Sequence, residues 1–176
     1  MRRVPSLLVV RVVFVLLGAV WAVRSVQSFS DPDFTDPGTV SDWVAVLLVT
    51  VGLALLPIAL VFLTAVTGRR ERAVRWLVPI TAVGATVAAI ANLAEDGLGI
   101  DAAAVAYYLG AATMLVGLVL LAVVLVVGRP RWPALVVLGT VVGLIGLESA
   151  GGLLIMTVWV VAAVEVRPGG TMTSSA

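Results

Sequence analysis

The residues with most chemical promise are a few ionisable and amide side chains set among long apolar runs: Glu148, Arg24, and the cluster Asn92, Glu95 and Asp96. An ionisable group at membrane depth is expensive, so each is a functional candidate. Glu148 is followed by Ser149-Ala150-Gly151-Gly152, small enough for a cavity to reach it. It suits a proton or cation site, or a buried partner for Arg24; a tilted helix would instead bring it near the outer interface. Asn92, Glu95 and Asp96 are spaced three and four apart, which puts all three on one face if the helix persists. Two carboxylates and an amide at an outer mouth can bind a cation. The plainer reading is a helix end running into a solvated turn, with Gly97 and Gly99 as its stop signals. Arg24 lies near the outer boundary and either snorkels or pairs with Asp42, Glu95 or Glu148. Arg11 is close enough to the inner surface to snorkel.

Other chemistry is excluded by composition. The chain contains no histidine, cysteine or lysine, which removes the usual metal ligands, thiol nucleophiles and Schiff-base chemistry. Asp31, Asp33 and Asp36 read DxDxxD, but the further ligands of a calcium loop do not follow. No phosphate-loop, dinucleotide, nucleophile-elbow or zinc-protease motif is present. We therefore expect no cofactor and no metal. A net charge of +1 argues against nucleic acid as a partner.

The elements that must carry these groups are membrane helices. Of the 176 residues, 61% are hydrophobic and 12% charged, and the mean hydropathy is +1.18. A chain this short leaves much of its surface outside any core, so an excess of this size requires lipid as its solvent. Apolar runs at about 4–29, 42–67, 75–94, 102–127 and 133–166 predict a single all-α bundle of about five transmembrane helices over 1–167, with a disordered tail at 168–176. The gaps alternate in charge. Arg2 and Arg3 come first, then Asp31 to Asp42, then Arg69 to Arg75, then Glu95 to Asp101, then Arg129 and Arg131. Basic residues of short loops stay inside, which predicts a multi-pass protein with a cytoplasmic N-terminus. All cations being arginine, with a Val/Ala/Gly/Leu bias, points to a GC-rich bacterial genome and hence an inner (plasma) membrane. A signal peptide cleaved after Ala22 is the alternative for the first run, although Arg11 interrupts its core.

Local signals refine this. Thr39 or Ser41 suits an N-cap before the second run. Pro57 predicts a kink, with Thr50, Thr64 or Thr67 near the freed carbonyl. The third run is rich in Ala and Gly, which permits close helix approach and suggests a central place in the bundle. Residues 132–166 are too many for one upright span; they either tilt as a fifth helix or fold back as a broken hairpin around Glu148.

Three functional readings follow. The first is a non-catalytic accessory or assembly component, partnered by the lipid bilayer and by a second copy or another membrane protein. The second is a small transporter or channel subunit using Glu148 and Arg24. The third is a lipid-modifying enzyme with Glu95 and Asp96 as outer-leaflet acid and base.

Overall fold

A computed structural model of the chain describes residues 6–30, 39–68, 71–127, 131–147 and 150–166. Asp31, Asp33, Asp36, Glu148 and the tail at 168–176 lie outside the described residues. The rest is an all-α bundle: α1 (Leu7–Ser30), α2 (Val40–Val66), α3 (Arg72–Asn92), a π-helical turn (Leu93–Gly97), α4 (Ala103–Val127), α5 (Trp132–Ile145) and α6 (Gly151–Glu165). Four helices are long and apolar enough to cross a membrane, the third continuing through the π-helical turn to Gly97. Their outward surface is what lipid requires, with Leu8, Val61, Ile90 and Val123 among the exposed large apolar side chains.

The last run takes the broken form of the fold rather than the single tilted helix. Gly139 faces Val158, Gly143 faces Ile155, and the Trp159 indole donates to Thr140 Oγ1 at 2.9 Å, a register possible only if α5 and α6 run antiparallel. The reversal sits at Gly146 to Gly151, where the Gly151 N–H bonds the Gly146 carbonyl. Small residues permit this tight turn; a side chain on Gly151 would collide with the Gly143 and Gly146 backbones. The chain is thus four long helices and a short hairpin.

Each helix packs chiefly on its neighbours in the chain, and α6 closes on α1, so the elements form a ring. No helix is central, which corrects the expectation for α3. Its small residues serve one seam instead: Gly84 lies against the Gly110–Met114 backbone and Gly110 against Ala88. The core of the ring is filled by Phe14, Leu17, Trp21, Leu56, Leu60, Leu118, Leu121 and Leu125, all but fully buried.

Two polar ties fasten α6 to α1. Ser25 Oγ, fully buried, accepts from the Gly152 N–H at 2.8 Å and so satisfies one of the orphan donors of the α6 N-terminus. At the other end Arg11 donates to the Val166 carbonyl at 2.7 Å, where α6 leaves its last carbonyls unpaired. Arg11 therefore reaches protein backbone rather than only the membrane surface. Between the ties, Phe14 meets Trp159 edge-on at 4.9 Å.

Thr39 caps α2 in a reciprocal box with Asp42: the Thr39 N–H donates to Asp42 Oδ2 at 2.7 Å, and the Asp42 N–H to Thr39 Oγ1 at 3.3 Å. Proline lies inside two helices, Pro57 in α2 and also Pro79 in α3. None of the three threonines near Pro57 donates to the carbonyl it frees. Thr64 and Thr67 turn back to the carbonyls of their own preceding turn, and Thr50 accepts from Asn92.

Candidate functional site

The helix directions place Arg11, Arg72, Arg75 and Arg131 at one end of the ring and Asp42, Glu95, Asp96 and Asp101 at the other. At ~1.5 Å per residue α4 is about 37 Å long and α5 about 21 Å. Both span from the arginine end, so the hairpin turn stops short of the acidic end. A cavity of about 220 Å³ opens there, lined by Arg24 and Ser28 of α1, Ala45, Val46 and Val49 of α2, Asn92, Asp96, Tyr107 of α4, and Leu147 after α5.

Three of the side chains singled out in the sequence thus converge: Arg24, Asn92 and Asp96. Glu95 does not line the cavity. The helix persists past Asn92, but as a π turn, whose i→i+5 winding advances each residue by a smaller angle. A residue four positions on still nearly completes a turn, whereas one three positions on is left behind on another face. Asp96 therefore lines the cavity and Glu95 does not. The turn ends at Gly99, with φ +67°, where the Gly99 N–H bonds the Glu95 carbonyl at 3.0 Å and Ile100 reaches back to Ala94 at 3.0 Å.

Asn92 is 3% exposed. Its Nδ2 donates to the Val46 carbonyl at 3.3 Å and to Thr50 Oγ1 at 3.0 Å. A backbone carbonyl can only accept, so the amide orientation is settled by chemistry: nitrogen toward α2, oxygen toward the cavity. Among the described residues nothing donates to that oxygen, and no hydrogen bond or ion pair reaches the Asp96 carboxylate. Arg24 donates to Ser28 Oγ at 2.5 Å, and Ser28 donates to the Arg24 carbonyl at 3.0 Å. Asp42, one of the acids that could have paired with Arg24, is engaged by its own cap.

Ser28 and Tyr107 complete the lining, and neither was anticipated from the sequence. Ser28 had a visible signal, being four residues from Arg24 on the same helix face. Tyr107 meets Tyr108 at a centroid distance of 5.6 Å, and only the fold turns it toward α1 and α2.

The cavity reaches no deeper on α2 than Val49. Below it Trp21 lies against Gly52, and Leu53, Leu56 and Leu60 are almost wholly buried. Inside the ring the described residues are thus polar and hollow at one end and packed at the other, while a separate apolar cleft of about 440 Å³, bordered by Ala54, Pro57, Ile58 and Ile90, opens between α2 and α3. Comparison with protein-family models, curated proteins and solved structures gives no match.

Proposed function

We propose that the chain is a non-catalytic integral-membrane component of a bacterial inner membrane, working with a second copy of itself or another membrane protein. The N-terminus and the arginine-bearing turns lie in the cytoplasm, by the rule that short basic loops are not translocated. The acidic end with its cavity then faces outward. The observation that carries this reading is the filled inner half: a bundle whose polar cavity ends above Leu53, Leu56 and Leu60 is built to hold its shape. The absence of histidine, cysteine and lysine from the sequence and the place of Glu95 outside the cavity weigh against acid–base catalysis. Extraction into lipid nanodiscs followed by crosslinking and mass spectrometry tests it. A stoichiometric second protein or a homo-oligomer is expected, and a solitary monomer overturns it.

A small transporter is the second reading, favoured by the meeting of Arg24, Asn92 and Asp96 at one mouth. It requires flux of protons, cations or small zwitterions through proteoliposomes that collapses on Asp96→Asn or Glu148→Gln. Tight liposomes would remove it.

A further inference from the structure

The apolar cleft between α2 and α3 opens on the lipid side of the ring, with Ile58 and Ile90 exposed on its walls. Its volume of about 440 Å³ falls within the range of small-molecule sites, roughly 300–1,000 Å³. Two hydroxyls, those of Thr50 and Thr86, interrupt the otherwise apolar lining. These two threonines differ from the others in the helices. Thr64, Thr67, Thr81, Thr113, Thr140 and Thr157 each donate to the carbonyl four residues back, the usual partner of a helical hydroxyl. Thr50 and Thr86 donate to no described residue. Accepting a bond elsewhere does not account for this: Thr140 accepts from Trp159 and still donates to its own helix, whereas Thr50 accepts from Asn92 and does not.

Depth narrows the kind of occupant. Thr50 and Thr86 lie within one turn of the middle of their spans, Val40–Val66 and Arg72–Gly97. In a ~30 Å hydrocarbon core that is about 10–15 Å from either surface, beyond the reach of water or of phospholipid ester groups. An acyl chain fills the volume but offers a hydroxyl no acceptor. A passing helix has its carbonyls bonded already, and gives a hydroxyl no more than the threonine's own helix does. A cation is refused, because the cleft has no acid in its lining and its walls are apolar. What remains is an apolar, bilayer-soluble molecule that carries acceptor oxygens of its own. Asn92 prepares Thr50 for it: the Nδ2 donates to Thr50 Oγ1 at 3.0 Å, so the O–H is what Thr50 has left to give.

We propose that this cleft binds a lipid-soluble carbonyl compound of the isoprenoid-quinone class. It enters from the bilayer, lays its ring against Pro57, Ile58 and Ile90, and accepts hydrogen bonds from Thr50 and Thr86. The site stands whether or not the chain has a protein partner.

Native mass spectrometry of the full chain in detergent tests the proposal, with phylloquinone and decylubiquinone as quinones, squalene as an isoprenoid without oxygen, and a short-chain phosphatidylcholine. The expected result is an adduct with at least one quinone in preference to squalene and phospholipid, weakened about fivefold by Thr86→Val. Thr113→Val, which removes a hydroxyl already tied to the Leu109 carbonyl, should leave it unchanged. Thr86 and Thr113 are both exposed, so neither change disturbs the core. Ala54→Phe, which fills the cleft from an exposed position, should abolish the same adduct. Squalene bound as well as the quinones, binding indifferent to Thr86→Val or to Ala54→Phe, or no quinone adduct overturns the proposal. A dimer that Ala54→Phe disperses, without any quinone adduct, also overturns it and assigns the cleft to a second copy.

Discussion

Ala45 and Ala59 sit on the same helix, fourteen residues apart (59 − 45), and both are buried. Ala45 borders a cavity shared with an arginine, an amide and a carboxylate; Ala59 belongs to the apolar core with Leu56, Leu60 and Leu63. The same aliphatic helix thus serves two solvents. At the arginine end burial is achieved by large side chains; the glycines that bring backbones together, Gly84, Gly110 and Gly152, lie farther along, toward the hairpin turn. At the acidic end the shortened hairpin leaves polar groups around a space they do not fill. In lipid, helices gain little from apolar contact with one another, so close packing and a few hydrogen bonds must hold the ring. A polar hollow adds nothing to that hold, which is why its residues read as functional.

The contrast can be broken most severely at the α1–α6 seam. In Gly152→Leu the new side chain falls on the Trp21 carbonyl and within 2.6 Å of Ser25 Oγ. We expect a loss of about 3 kcal/mol or more, as overpacking combines with a lost cap. A thermal melt in detergent should drop sharply. A wild-type melting temperature would mean the seam is looser than described.

The α3–α4 seam is the next target. A Cβ on Gly84 would lie 2.6 Å from the Met114 nitrogen and 2.8 Å from the Gly110 oxygen, both backbone. Gly84→Ala should therefore cost about 1–3 kcal/mol, because backbone cannot rotate aside as a side chain can. Denaturation by sodium dodecyl sulphate titrated into mild detergent reads this; an unchanged midpoint counts against the close approach.

Smaller effects come from the ties. Ser25→Ala strands the buried Gly152 N–H and should cost about 1 kcal/mol, in the upper range for membrane hydrogen bonds. Hydrogen exchange at the first turn of α6 should rise in that variant, and unaltered protection would contradict the tie.

The hollow end should behave oppositely. Asp96→Asn is expected to leave stability within about 0.5 kcal/mol of wild type or raise it slightly, since a partly buried carboxylate without an ion pair contributes nothing to the fold. A marked fall in the same detergent titration would show that Asp96 is structural.

Much of this was legible in the residues. Hydropathy and the alternating charges gave the four long helices and their directions, and Thr39 with Asp42 announced its own cap. Arg24, Asn92 and Asp96 were identifiable singly because polar groups stand out against Val and Leu. Their meeting was not, since Arg24 and Asp96 are 72 residues apart (96 − 24) and depend on ring closure. Regular α-helical spacing groups Glu95 with Asp96, and the π turn over Leu93–Gly97 departs from that spacing. The choice between a tilted helix and a hairpin turned on Gly143, Gly151 and Gly152, whose role depends on which backbone they meet.

The proposed orientation puts the cavity at the outer, water-facing end of the ring and the packed leucines in its inner half. The chain has no native cysteine, so a single introduced one is a clean reporter. Ala45→Cys and Ala59→Cys should be compared in intact cells with a membrane-impermeant maleimide. Labelling of position 45 from outside and protection of position 59 from both sides is the predicted result. Labelling at 59, or at 45 only from the cytoplasmic side, would contradict it.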